Sequence, residues 1–160
     1  MSRLYTVEFE GTAVATASGD VDFFEILPAA NKPVLIHAVF LSQSSDVGDA
    51  AEEILRVKII RLPATVTSGT GGASATPVPL DVNDAAAGAV CEVLNTAVAT
   101  TSGTAVDIHS DAFNIRVGWV YMPTPEMRPR VNNAEGIVVR LMAATVDELT
   151  MSGTVYIEEV

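Results

Sequence analysis

The chain lacks a second cysteine, and this removes two common ways of stabilising a small protein. Cys91 is the only cysteine among the 160 residues. An intrachain disulfide needs two thiols and a thiolate zinc cage needs several, so neither can form here. A single cysteine fits a protein assembled in a reducing cytoplasm, where disulfides are rare.

Basic residues are also scarce. Nine Lys and Arg stand against twenty Asp and Glu, which gives a formal net charge of −11. A protein that binds DNA or RNA needs clustered cations to displace the counterions of the phosphates. The cations here are scattered, and Arg128 and Arg130 are the only close pair outside a predicted strand. We therefore predict no nucleic-acid binding, and the acidity favours solubility or a basic protein partner.

Long apolar runs are missing as well. No run approaches the roughly 18–20 residues that a membrane-spanning helix requires. Near the N-terminus, Glu8 interrupts the chain before the apolar core of a signal peptide could develop. The sequence predicts no membrane segment and no export signal. Its length and even composition predict a single domain over residues 1–160.

What the chain does contain is a series of short segments in which apolar and polar residues alternate. The clearest is Asn114–Tyr121, where Ile115, Val117, Trp119 and Tyr121 share one face. A period of two is typical of a strand with one face on a core. The pattern predicts an all-β fold, a single-domain β-sandwich whose helical content is limited to short turns. The predicted strands are Leu4–Glu10, Asp22–Leu27, Val34–Ser42, Ile54–Leu62, Val90–Thr96, Ala105–Ile108, Phe113–Tyr121, Ile137–Ala143 and Thr154–Glu159. The predicted helical turns are Asp49–Glu53, Asn83–Ala87 and Val146–Leu149.

One strand, Val34–Leu41, is apolar on both faces. Eight residues are too few to cross a membrane, so we expect protein to cover both faces, with help from oligomerisation or loop packing. The residues expected to share one core are Val7, Val57, Ile59, Ile115, Val117, Trp119, Val139 and Leu141.

Two loops stand out by composition. Residues 63–79, Pro63–Pro79, are rich in Gly, Ser and Thr and predict a flexible or partner-ordered loop. Residues 121–130 carry three prolines at close spacing, which keep the backbone extended and stiff. Arg and Met are enriched at protein interfaces, so this Pro-rich loop is either a plain connection or a contact loop. Its candidate protein-contact residues are Pro123, Pro125, Met127, Arg128 and Arg130.

The residues capable of catalysis or metal binding do not form a complete set. Asp107, His109 and Asp111 share a face if they lie on a regular strand, but an iron facial triad needs another histidine downstream, and His37 lies upstream. Ser110 is adjacent to His109 and would point to the opposite face, which does not suit acyl transfer. We therefore predict no enzyme, no catalytic residue, no metal site and no cofactor.

Two further motifs are incomplete. Asp81–Asp84 with Glu92 matches part of a calcium loop, but Ala85 and Ala86 stand where a ligand and a glycine belong. The glycines of 69–72 lack the Lys-Ser/Thr of a phosphate loop. The remaining candidates are predicted to be core residues: His37, Cys91 and Trp119.

Three strings resemble those of small structural proteins encoded in the head modules of tailed phages: FLSQSSDVGD at 40–49, NIRVGW at 114–119 and LTMSGT at 149–154. The chain is most similar in texture and strand order to jelly-roll capsid decoration (cement) proteins. This resemblance implies a jelly-roll-like β-sandwich of about eight strands. It also implies a homo-oligomer that binds the major capsid protein on the capsid exterior, after assembly in the host cytoplasm, without nucleic acid, membrane or cofactor.

Other functions remain open at this point. One is a tail or head-fibre base protein of a phage. Another is a glycan- or ligand-binding β-sandwich module, which exposed aromatic side chains along a groove would favour. A jelly-roll enzyme would be indicated by a metal bound at His109.

Overall fold

A computed structural model describes residues 2–14, 19–44 and 52–160, and within them nearly every element is a strand. The all-β prediction is confirmed. In the described ranges one short 3-10 turn, Pro125–Met127, accompanies fourteen strands. The strands are β1 Arg3–Val14, β2 Val21–Leu27, β3 Val34–Gln43, β4 Ile54–Leu62, β5 Val66–Thr67, β6 Ala73–Ala75, β7 Val78–Pro79, β8 Val90–Asn95, β9 Thr100–Thr101, β10 Val106–Asn114, β11 Trp119–Tyr121, β12 Arg130–Val131, β13 Gly136–Leu141 and β14 Leu149–Glu159.

The strands form two antiparallel sheets that pack face to face, which is the predicted β-sandwich. Sheet A has the order β11-β3-β14-β1-β7, and β12 lies beside β11 along the same edge of β3. Sheet B has the order β10-β4-β13-β2-β8-β6, and β5 pairs with β9 in a small separate sheet. Alternate residues of β14 are buried along its whole length, as expected for a strand with one face on a core.

The strand predicted to be apolar on both faces is β3. Its inner face contributes Val34, Ile36 and Leu41 to the main core. On its outer face Leu35, His37 and Phe40 are half-buried, and Ala38 is buried. A bulge at His37 lets Ile36 and Ala38 pair with consecutive residues of β14. The second face of β3 is therefore half covered within the described chain.

The prediction of one continuous strand over Asn114–Tyr121 is wrong. β10 ends at Asn114, and residues 115–117 form a turn before β11 begins at Trp119. The Asn114 side chain accepts a hydrogen bond from the Arg116 N–H at 3.0 Å, and the Val117 N–H donates to the Asn114 carbonyl at 3.0 Å. Gly118 has φ +78°, a left-handed conformation that L side chains rarely adopt. This turn carries the chain from sheet B to sheet A.

The turn also explains one wrong core assignment. Of the eight residues expected to share a core, seven are buried in the main cluster, and Val117 is 85% exposed. The seven are Val7, Val57, Ile59, Ile115, Trp119, Val139 and Leu141.

Residues 63–79 differ from the flexible loop predicted for them. They contain β5, β6 and β7, and the Thr70 N–H donates to the Ala97 carbonyl at 2.8 Å. Within this segment, β6 belongs to sheet B and β7 to sheet A. Residues 63–72 and 96–103 lie over the outer face of sheet B, and we call them the sheet B cover. Under it a second apolar cluster forms from Ile60, Leu62, Ala99 and Val138, with Val66 against it.

Two buried carboxylates of β2 accept hydrogen bonds from the backbone of the sheet B cover. Asp22 is fully buried; it accepts a hydrogen bond from the Ala99 N–H at 2.7 Å and pairs with Arg140, Nε to Oδ1, at 2.5 Å. Burial raises the pKa of Asp22, and the Arg140 guanidinium opposes that rise. Glu25 accepts from the Gly69 N–H at 2.9 Å and from the Asn95 amide at 2.9 Å. The chain thus closes this face of the sandwich with its own backbone.

The predicted helical turns do not form where the structure describes them. Residues 83–87 and 146–149 contain no helical turn. Most of Asp49–Glu53 lies outside the described residues. The described residues also contain no helix of a length and hydropathy suited to crossing a membrane.

Candidate functional site

The five predicted contact residues lie along one edge of sheet A. The segment between β11 and β12 follows the free side of β3, and the Ile36 N–H donates to the Pro129 carbonyl at 3.0 Å. Pro125 and Met127 form the 3-10 turn, and Met127 is 68% exposed. Pro123 and Arg128 are half-buried. The predicted extended, stiff loop is therefore interrupted by a turn but held against the sheet.

This edge borders the outer face of sheet A, which we define by three rows of residues that pair across neighbouring strands. Paired residues on one face contact each other, so each row is a line of side chains facing outward. The rows are Arg130–Leu35–Glu158–Leu4, Ala38–Tyr156–Thr6–Val78 and Val120–Phe40–Thr154–Glu8. No strand or loop of the described residues forms a second sheet over them.

The centre of this outer face is apolar. Phe40 and Tyr156 pack edge to face with ring centroids 6.0 Å apart. Val120 is 59% exposed and Val78 is 56% exposed at the two sides. An exposed apolar patch of this kind is typical of a surface that contacts another protein.

His37 belongs to this face and not to the core, which corrects the sequence prediction. Its Nε2 lies 2.5 Å from the Glu158 carboxylate. Burial raises the pKa of Glu158, but the hydrogen bonds from His37 and Ser2 outweigh it, so the pKa lies below its usual value. The bulge in β3 is what brings the imidazole over the Glu158 side chain.

A shallow acidic cleft of about 140 Å³ lies at the β1 corner of the same face. Glu8 and Glu10 supply its carboxylates, and the ring of Phe40 forms part of its wall. The hydroxyls of Ser42, Ser152 and Thr154 line it. Sequence reasoning missed this cleft because its residues come from three strands, although the alternation in Leu4–Glu10 already placed both glutamates outward.

Asp107, His109 and Asp111 do not share one face. A register shift between Asp107 and His109 puts Asp107 opposite Ile60 on the outer side of sheet B, where it binds Lys58 at 2.5 Å. Asp111 instead accepts a hydrogen bond from the Trp119 indole at 3.0 Å. That bond, more than other causes, holds the pKa of Asp111 below its usual value.

His109 contacts aromatic side chains at the open edge of the sandwich. Its ring lies 4.7 Å from Tyr121 and 6.0 Å from Trp119, centroid to centroid. Trp119 is 5% exposed, as the core prediction requires, so it offers little surface to a ligand. In residues 2–14, 19–44 and 52–160, no three His, Cys, Asp or Glu side chains are grouped so as to hold a metal ion.

The partial calcium loop is divided between separate contacts. Asp81 accepts from the Asn83 N–H at 2.9 Å, and Asp84 pairs with Arg3 at 3.3 Å. Glu92 accepts from the Asn95 amide in sheet B. Cys91 is buried as predicted, and burial raises its thiol pKa to about 12.

Comparison with protein-family models, curated proteins and solved structures finds no match for this chain.

Proposed function

We propose that this chain is a structural protein of a tailed-phage virion, which binds the outside of the capsid and cements it by bridging major capsid protein subunits. The observation that carries the proposal is the exposed contact edge beside β3, residues 122–130. Met122 and Met127, 66% and 68% exposed, stand at that edge beside Arg128 and Arg130. The resemblance of three sequence strings to phage head proteins supplies the biological class.

The strand order supports the jelly-roll part of the proposal. Eight of the strands divide evenly between the two sheets, with the order β1-β14-β3-β11 in sheet A and β2-β13-β4-β10 in sheet B. Two Greek keys wound into facing sheets give this order in a jelly roll. β6 and β8 extend sheet B beyond β2.

The contact edge suits a cementing role because it is held in place before it binds. The hydrogen bond from Ile36 to Pro129 and the 3-10 turn at Pro125–Met127 fix the backbone that presents Met127. A pre-ordered edge loses little conformational entropy on binding. Several copies that bind one shell add their affinities as avidity, and binding only the assembled shell stabilises it by mass action.

The test is binding of purified protein to expanded capsids that lack it. The Met127→Glu variant should bind at least tenfold more weakly than the unmodified protein, since it places a charge in the centre of the proposed contact. Arg56→Glu is the matched control, because Arg56 is exposed on the outer side of sheet B. Decorated capsids should burst at a higher temperature than bare ones.

Equal binding by the Met127→Glu variant, or equal bursting temperatures, would contradict the cementing function. Binding to phage tails and not to capsids would support the tail or head-fibre alternative instead.

A further inference from the structure

We infer that the outer face of sheet A is a two-fold interface between two copies of this chain, in which Arg130 of each copy enters the acidic cleft of the other. The inference rests on the proposed function and adds to it a second copy of this chain as the partner of Arg130 and of the face beside it. It is carried by the positions of one cation and one anionic cleft on a single face.

Arg130 and the acidic cleft occupy diagonal corners of that face. Arg130 pairs with Leu35 at the β12 end of the first row, and Glu8 pairs with Thr154 at the β1 end of the third row. Strands lie about 4.8 Å apart and rise about 3.3 Å per residue, so the corners are about 20 Å from each other. Arg130, Glu8 and Glu10 are all exposed.

A face with opposite charges at two corners is complementary to itself. A two-fold axis in the plane of the face exchanges the two corners if it crosses the line between them at its midpoint and at a right angle. Each Arg130 then meets the partner's carboxylates, and the contact forms twice, as in any isologous interface. The same axis brings the Tyr156 and Phe40 rings of the two copies together at the centre.

The chemistry of the cleft matches an arginine side chain. Glu8 and Glu10 offer carboxylates that a planar guanidinium can bind through two parallel hydrogen bonds. The Phe40 ring in the wall can pack against the aliphatic stem and attract the cation. The hydroxyls of Ser42, Ser152 and Thr154 add acceptors around it.

The other charges on this face do not oppose the arrangement. Glu158 accepts a hydrogen bond from His37 and lies near Arg128, whose charge opposes its own. Glu126 is held in its own turn by hydrogen bonds to backbone and to Thr124. The cationic corner and the anionic corner therefore keep opposite signs.

The long strands of the face set the size of the contact. β3, β14 and β1 lie about 4.8 Å apart and are about 35 Å long, which gives a surface of about 500 Å² on each copy. A total of about 1,000 Å² is at the small end of specific interfaces, so the dimer should be reversible.

The test is a charge exchange measured by sedimentation velocity and light scattering on the purified chain. The unmodified chain should dimerise reversibly. Arg130→Glu alone, and Glu8→Lys with Glu10→Lys, should each raise the dissociation constant at least tenfold, because each brings like charges together twice. Mixed in equal amounts, the two variants should form a heterodimer near the strength of the original, since both contacts then pair opposite charges.

Arg56→Glu, with its substitution on sheet B, should dimerise as the unmodified chain does, and circular dichroism should confirm that all variants fold. A monomer at every concentration, a closed oligomer other than a dimer, or a mixture that fails to associate would overturn the inference. Capsid binding is scored separately. A dimer that ignores capsids contradicts the proposed function alone, and a monomer that binds them contradicts this inference alone.

Discussion

Both sheets carry apolar residues on their outer faces, and the two faces differ in what covers those residues. Sheet B buries its outer apolar residues, such as Ile60 and Val138, under a cover made of the chain's own residues. Sheet A leaves Phe40 and Tyr156 half-exposed between a basic and an acidic corner. The first face is fastened by internal carboxylates and contributes to folding. The second carries complementary charges at its margins and is suited to association.

The largest loss of stability is expected when the contacts that hold the sheet B cover are removed. Asp22→Ala leaves Arg140 and the Ala99 N–H buried without their acceptor. Removing one partner of a buried ion pair costs about 3–5 kcal/mol, and urea unfolding should show a loss of that order. The control is Asp107→Ala, which removes a half-exposed pair with Lys58 and should cost about 1 kcal/mol or less. Equal losses would mean that the cover is not held by Asp22.

The next largest effect is a difference in the stability lost when apolar residues of similar volume are truncated on the two outer faces. Ile60→Ala, at a site 4% exposed, should cost about 2–5 kcal/mol. Leu35→Ala, on the half-buried face of β3, should cost less than half as much, because part of the side chain is already in water. The unfolding of both variants should be measured below the protein concentration at which the chain associates. A Leu35 loss as large as that of Ile60 would show that the face of sheet A is closed in the monomer.

A smaller effect is expected at the turn that joins the two sheets. Gly118→Ala places a Cβ in a left-handed conformation and within 2.8 Å of the Leu41 carbonyl. The conformational part alone costs about 1–2 kcal/mol, which thermal unfolding can detect. Val117→Ala is the control, since that side chain is 85% exposed and should change stability little.

The smallest effect concerns pH at the open edge between the sheets. The Trp119 hydrogen bond, followed by that of the Ala112 N–H, lowers the pKa of Asp111 from its ordinary value of 3.8. A lowered pKa stabilises the fold above pH 3.8, and this contribution is lost as pH falls through the folded value. Tryptophan emission should therefore change with a midpoint below pH 3.8. Asp111→Asn should abolish that transition, and a midpoint above 3.8 would contradict the bond.

The sequence predicted best the strands that are rich in β-branched and aromatic residues and are followed directly by a proline. β4 was predicted with its observed bounds, and β2 within one residue. Asn114–Tyr121 failed because its alternation continues across a turn, so a period of two did not reveal the change of sheet. Asn114 and Gly118 were the available signals, since both residue types favour turns.

The glycines of the sheet B cover gave a misleading signal for a different reason. Glycine permits mobility, and it equally permits close approach of two backbones. A Cβ on Gly72 would lie 2.1 Å from the Val93 carbonyl, so here glycine allows contact. Composition alone does not separate these two uses. The acidic cleft likewise depends on strand order, which no single segment encodes.

Hydroxyl-radical footprinting measures directly whether sheet A is the side of the molecule that contacts other protein. The chain would be labelled when dilute, when concentrated and when bound to capsids, and the modified side chains would be identified by mass spectrometry. Met127, Phe40 and Tyr156 should lose reactivity on association, while Met142, half-buried on sheet B, should keep it. Protection of Met142 with unchanged reactivity of Phe40 and Tyr156 would contradict this expectation.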